Sequence, residues 1–126
     1  MPEIRGYHAH VYFNPATRPV AERLRSAITS QFAVEPGGFS DRPVGPHPIP
    51  QFNVMFQAPE FQRLVPWLML NRDGLDILIH PLTEDMYGDH STYALWLGKP
   101  VDLILEPLKG RPYSAALLPA TSPLPA

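Results

Sequence analysis

The chain has no cysteine. That excludes a disulfide framework and any thiolate metal site, and leaves histidine and carboxylate side chains as its strong metal-binding groups. Charge of one sign is also missing: ten Lys and Arg stand against twelve Asp and Glu, for a formal net charge of −2. The basic residues are scattered, so nothing balances a phosphate backbone and no nucleic acid partner is expected. No apolar run approaches the roughly 20 residues that span a bilayer. The opening MPEIRGYHAH lacks the basic segment and apolar run of a secretory signal. No membrane association is therefore expected, and the cytoplasm is the default compartment. With 126 residues, 44% of them hydrophobic, the composition is that of one globular domain with a modest core.

Proline is in excess, at 17 of 126 residues, where about 5% is ordinary. The prolines gather in DRPVGPHPIPQ, Asp41 to Gln51, and in the stretch from Pro107 to Ala126. Such segments favour extended backbone and offer few donors, so the first reads as a rigid loop and the second as an arm or disordered end. The expected division is a folded domain over 1–105 and a Pro-rich extension over 106–126.

Periodicity sets the elements. Tyr7, Ala9, Val11 and Phe13 alternate with His8, His10 and Tyr12, which is the period of a strand. Thr17 can cap a helix with an early Pro19 and with Val20, Leu24, Ile28 and Phe32 at spacing four. From Ala33 to Val44 a weak edge strand is expected, bent or bulged at Gly37 and Gly38. Phe52, Val54 and Phe56 alternate with Gln51, Asn53, Met55 and Gln57 in a third strand. A helix follows from Pro59, with Phe61, Leu64, Val65 and Leu68 on one side, a kink at Pro66 and a stop at Gly74. Leu75, Ile77 and Ile79 alternate with Asp76, Leu78 and His80 in a fourth strand.

The order βαββαβ is the ferredoxin-like arrangement, one antiparallel sheet with both helices on one face. Right-handed crossovers put the first strand in the centre, beside the third and fourth. The helices cover the apolar face, and the face expected to be left uncovered carries His8, His10, Tyr12, Gln51, Asn53, Met55, Asp76, Leu78 and His80. Parity alone thus sends three of the five histidines to one side of one sheet. An uncovered face with Leu78, Met55 and Tyr12 is a poor surface for a monomer; packing against a second copy or beneath the tail would shield a pocket there, and a homodimer is expected.

Residues two apart on a strand lie ~6 to 7 Å apart, and paired residues about 5 Å apart, so His8, His10 and His80 can reach one metal ion. Neutral imidazole suits Fe(II), Zn or Cu, and two histidines with one carboxylate leave positions open for oxygen chemistry. Asp76, Glu84, Asp85 and Asp89 are the candidate oxygen donors. His47 in GPHPIP and His90 in GDHSTYALWLG sit in loops, where positioned functional residues commonly lie. A polar sheet face turned to water or to a dimer interface would also explain His8 and His10; the matching parity of His80 favours metal binding or acid–base work. Trp67, Leu68 and Trp96 read first as core. Arg42 and Arg72 read as surface residues whose forked donors can also hold a carboxylate.

The segments GYHAHVYF, RPVGPHPIPQFNVMF, LVPWLMLNRDGLDILIHPLT and DHSTYALWLG, taken in order, resemble the DOPA 4,5-dioxygenase family of small aromatic-ring-cleaving proteins. The resemblance covers most of Ile4 to Leu105. It implies a ferredoxin-like domain, a homodimer, and extradiol cleavage of a catechol by dioxygen at a non-haem iron. The family's histidine motifs fall on His8, His10, His47, His80 and His90. The resemblance does not divide the roles among them; the assignment expected is His8, His10 and His80 at the metal or its immediate border, with His47 and His90 in acid–base roles or completing the ligation. Fe(II) is the expected ion, with Zn another divalent candidate. The competing readings are a metal-free ferredoxin-like dimer that binds or transforms a small aromatic, and a closed structural zinc module.

Overall fold

The computed structural model describes residues 3–111. Six main elements follow the βαββαβ order: β1 (Tyr7–Tyr12), α1 (Arg18–Gln31), β2 (Glu35–Ser40), β3 (Gln51–Phe56), α2 (Ala58–Asn71) and β4 (Ile77–Pro81). A short helix α3 (Met86–Asp89), a three-residue strand β5 (Leu95–Leu97) and a 3-10 turn (Glu106–Leu108) follow. The strands lie in the order β2-β3-β1-β4-β5, and every pairing is antiparallel. This is the ferredoxin-like α+β sheet, with β5 added beyond β4.

Strand parity builds the core. Ala9, Val11, Phe13, Phe52, Val54, Phe56, Leu75, Ile77 and Ile79 point to one face, where Ala21, Leu24 and Ile28 of α1 meet Leu64, Val65 and Leu68 of α2. Trp67 packs partly buried against this core. Burial of so many branched and aromatic side chains, each worth ~1.5–3 kcal/mol, supplies the main favourable term. The edge strand bends where the double glycine predicts, its register shifting between Pro36 and Phe39. Pro66 lies inside α2 without ending it. Asp73 and Gly74, with φ of 54° and 81°, then form the left-handed stop.

Three expectations are corrected. Thr17 is the N-cap residue of α1 but makes no side-chain cap bond. Its hydroxyl instead accepts from the Asn14 amide, while Asn14 Oδ1 accepts from the Thr17 amide. Trp96 is not core: it pairs with Leu78 on the histidine side of the sheet and stacks on Tyr12 at 6.0 Å. Most consequentially, the second face is not uncovered. Leu78 and Tyr12 on it are buried within one chain.

The cover consists of the loop before β3, the segment around α3 and the chain after β5. A bond from Ile104 N to Pro46 O (2.8 Å) ties the last of these to the first, and Met86 N donates to Arg111 O (3.2 Å). Leu108 is buried there, so the chain just past residue 105 packs onto the domain; the rest of the expected Pro-rich arm, residues 112–126, lies outside the described residues. The dimer argument drawn from an uncovered face loses its premise, because the chain supplies its own lid. Among the described residues no helix is long and apolar enough to cross a membrane.

Leu68 is fully buried where α2 meets the sheet. Leu68→Ala is expected to cost about 2–5 kcal/mol, measured as a lowered denaturant midpoint at unchanged m-value.

Candidate metal centre and active site

All five histidines meet on the covered face. β1 and β4 carry His8 and His80 as direct cross-strand partners, with His10 one pleat along. His47 arrives from the proline loop: Val44 and His47 exchange both backbone bonds (3.0 and 2.9 Å) around a two-residue turn. Its first central residue is Gly45, at φ 54°, a conformation that glycine adopts at no steric cost. His90 ends α3. Two carboxylates hold that segment in place. Asp85 accepts from Gly88 N at 3.0 Å, and buried Asp89 accepts from the Thr83 amide at 3.0 Å and from the Thr83 hydroxyl.

Hydrogen bonds then fix which ring nitrogens are free. His80 Nδ1 donates to Pro81 O and His90 Nδ1 to Met86 O, both at 2.8 Å. A carbonyl only accepts, so in each ring the proton sits on Nδ1 and Nε2 keeps its lone pair. His10 Nδ1 donates in the same way to Gln51 Oε1 at 2.9 Å. The consequence is specific: His10 Nε2 and His80 Nε2, two lone-pair atoms, face each other at 3.1 Å. Neither ring nitrogen of His8 has a hydrogen-bond partner among the described residues, and its ring stands edge-on to His10 and His80 with centroids 5.3 and 5.2 Å away.

Electrostatics keep this cluster neutral. Burial first, then the nearby His90, lowers His8 to about 4. Burial, then His90 and His8, lowers His47 to about 3. His10 and His80 are pressed well below their ordinary value by burial and by the other imidazoles, and His90 is lowered by burial. A proton shared between the facing Nε2 atoms is therefore disfavoured near neutral pH. A divalent cation is the other species that turns two converging lone pairs into an attraction. Their 3.1 Å separation is about what two imidazoles show when each sits ~2.1 Å from one ion.

Two sets of ligand atoms lie close enough to hold an ion, His8–His10–His80 and His10–His47–His90. No carboxylate joins either set among the described residues. The expected oxygen donors are employed elsewhere: Asp76 Oδ1 accepts from Lys99 N at 2.8 Å, Asp85 caps α3, Asp89 is tied to Thr83, and Glu84 is exposed. Arg72 is committed to the Leu75 carbonyl at 3.0 Å, and Arg42 is exposed; neither lines the cavity.

The histidines open into a cavity of about 520 Å³ that Glu35, Gln51, Asn53, Met55, Met86 and Asp89 also line. Its size suits a single aromatic ring with a short side chain. Two contributors escaped the sequence reading. Tyr12, 3% exposed, places its hydroxyl 2.7 Å from His47 Nδ1, and burial raises its pKa. Gln51 orients His10. Their strand parity was visible, but their bonds depend on where the loops fold.

The neutral cluster sets a pH dependence. In the unfolded chain the histidines protonate near 6.5, whereas in the folded chain His8 waits until about 4 and His47 until about 3. Between these values the unfolded state binds more protons, so stability falls as pH falls. Asp89, raised by burial, works in the opposite sense, one group against five. The metal-free protein is expected to show a urea midpoint that is level from pH 8 to 7 and drops steadily from pH 6.5 to 4; a flat profile would contradict the neutral cluster.

The family model described as the Dopa 4,5-dioxygenase family matches residues 7–107. An uncharacterized 21.2 kDa protein of Botryotinia fuckeliana is 36% identical over 117 residues, 81% of this chain and 64% of that one. A protein of Amanita muscaria named DOPA 4,5-dioxygenase is 32% identical over 118 residues, 85% of this chain and 52% of that one. The chain thus spans between about half and just under two thirds of the length of these curated relatives. A crystal structure from Nostoc punctiforme, provisionally described as that of a dioxygenase, superposes with a TM-score of 0.81 at 50% identity, covering 82% of this chain and 90% of that one. By its family match over 7–107 and its identity to these relatives, the chain belongs to the Dopa 4,5-dioxygenase family.

Proposed function

We propose that the chain is an extradiol-type ring-cleaving dioxygenase that opens a catechol with dioxygen at a histidine-held iron. The observation that carries this reading is the set of imidazoles whose Nδ1 protons are already given to Pro81 O, Gln51 Oε1 and Met86 O, which leaves Nε2 lone pairs in a ring-sized cavity. His8, His10 and His80 are the residues that would hold the metal. Fe(II) bound there would supply the electron transfer to dioxygen that the reaction needs and that redox-inert zinc lacks.

The chain's own groups do the rest. The walls hold the catechol ring over the imidazoles and keep bulk water from the diol, so the two reactants meet in a fixed orientation. His90, its Nε2 lone pair free, accepts a proton from a catechol hydroxyl. His47 works with Tyr12. A hydroxyl donates or accepts with equal ease, so the pair presents the outer nitrogen of His47 as a base when Nδ1 carries the proton, and as an acid when the Tyr12 hydroxyl donates to Nδ1. Burial holds the phenol protonated, which keeps it a hydrogen-bond partner rather than an anion. Both atoms of dioxygen enter the ring-opened product, and the proton taken from the diol is returned as the product leaves.

Metal analysis and oxygen uptake test these roles together. Protein purified without chelator is expected to contain iron or to gain oxygen uptake with catechols on addition of Fe(II), and to lose it with chelator. His10→Ala and His80→Ala are expected to abolish metal retention, and Gln51→Ala to weaken it about 10- to 100-fold. His47→Ala and His90→Ala are expected to keep the metal and lose about 10²- to 10⁴-fold in kcat. Full turnover in all five single His→Ala variants would reject the assignment.

Tyr12→Phe is a separate test. It is expected to leave metal content unchanged, lower kcat more than it raises KM, and move the acidic limb of the pH–rate profile. An unchanged profile would leave Tyr12 as packing for Trp96 alone.

A further inference from the structure

The register draws one row across the cavity floor. His80 pairs with His8, His8 with Met55, and Met55 with Glu35, one residue from each of four neighbouring strands. Paired residues on antiparallel strands share a face, and all four line the cavity. The row starts at buried imidazoles and ends at a carboxylate on the exposed rim. Two strand spacings, about 10 Å, separate Glu35 from His8. Beside the row lies Gly37, so close to Asn53 that an added Cβ would stand 2.6 Å from the amide oxygen; both line the cavity between the histidines and Glu35.

The charge at that end is uncompensated. Glu35 has no ion-pair or hydrogen-bond partner among the described residues. No lysine or arginine is among the described residues lining the cavity, and the other acid among them, Asp89, is held by Thr83. A carboxylate on a substrate would therefore meet the negative charge of Glu35 with no described cation in the lining to pair with it.

We infer that Glu35 is a specificity residue, and that the preferred substrate is a catechol whose side chain ends in an ammonium group and carries no carboxylate. This rests on the catechol reading of the site. A two-carbon aminoalkyl arm opposite the diol reaches about two strand spacings from the imidazoles, which puts its nitrogen beside Glu35. Because the rim is exposed, water and salt screen the pair, and the selectivity from this charge is about three- to fivefold at low salt rather than orders of magnitude.

The test compares ring cleavage of 4-(2-aminoethyl)catechol, neutral 4-ethylcatechol and 3,4-dihydroxyphenylacetate by the iron-loaded full chain. Expected is a kcat/KM order of amine over ethyl over acid, set mainly by KM and compressed by added salt. Glu35→Gln is expected to bring the amine-to-ethyl ratio toward one, and Glu35→Lys to reverse the order of amine and acid. Turnover of 4-ethylcatechol with no preference for the amine, or a preference that survives Glu35→Gln, overturns the role of Glu35 alone. No turnover of any of the three overturns the catechol reading, and this inference with it.

Discussion

The burial of five uncharged imidazoles on one sheet face is the constraint that organises this molecule. A buried polar ring needs partners for its nitrogens, and four residues around the cluster serve that need. Pro81 and Met86 offer main-chain oxygens, Gln51 an amide oxygen and Tyr12 a hydroxyl. What these partners leave over is a set of lone pairs with no internal acceptor role. The arrangement is costly for a merely structural core, because two lone pairs at 3.1 Å repel. It is economical for a cation site, where the same repulsion is relieved on binding and the binding energy adds to the stability of the loaded protein.

The all-imidazole composition has an electrical consequence. Histidine ligands bring no negative charge, whereas a carboxylate ligand, for which Asp76, Glu84, Asp85 and Asp89 were candidates, would cancel half the charge of a divalent ion. With Asp76, Asp85 and Asp89 each committed to a backbone or hydroxyl donor, an ion at this site keeps its full charge until substrate arrives. That favours a ligand able to give up protons and bind as an anion, which is what a catechol does and an isolated aromatic ring does not. The carboxylates, close to the site but turned to loop clips, thus leave an ion there without a negative protein ligand, which is what the proposed diol substrate would supply.

How much of this was legible follows from the range of each interaction. Alternation in YHAHVYF and DILIHP is local, so the strands, the helical face and the convergence of His8, His10 and His80 could be read directly. The Gly37–Gly38 irregularity and the stop at Gly74 were legible for the same reason, since glycine signals act within a few residues. That the second face needs a cover was legible, with a second copy or the tail as candidates; that the chain covers it itself was not, because this depends on Leu108 and on a bond from Ile104 to Pro46, residues 58 positions apart in the chain. Trp96 misled for a related reason: an aromatic in an apolar run suits either face of a sheet, and only the pairing of β5 with β4 assigns it to the side of Tyr12. Carboxylate roles failed similarly. Side-chain type marks Asp89 as a possible ligand, but the Thr83 amide and hydroxyl reach it first.

The two faces divide the labour between stability and chemistry. On one, two helices pack over an apolar sheet whose strands are rigid in register; on the other, loops hold the site closed with a handful of backbone bonds and clips. The energetic asymmetry means the lid can open locally without disturbing the strands that carry His8, His10 and His80, since local opening costs only the contacts of the segment that moves. His47 and His90 ride on that lid, one on the Val44–His47 turn and one at the end of α3. The groups assigned to hold an ion therefore stand on hydrogen-bonded strands, and those assigned to move protons stand on the connecting segments, held by fewer backbone bonds.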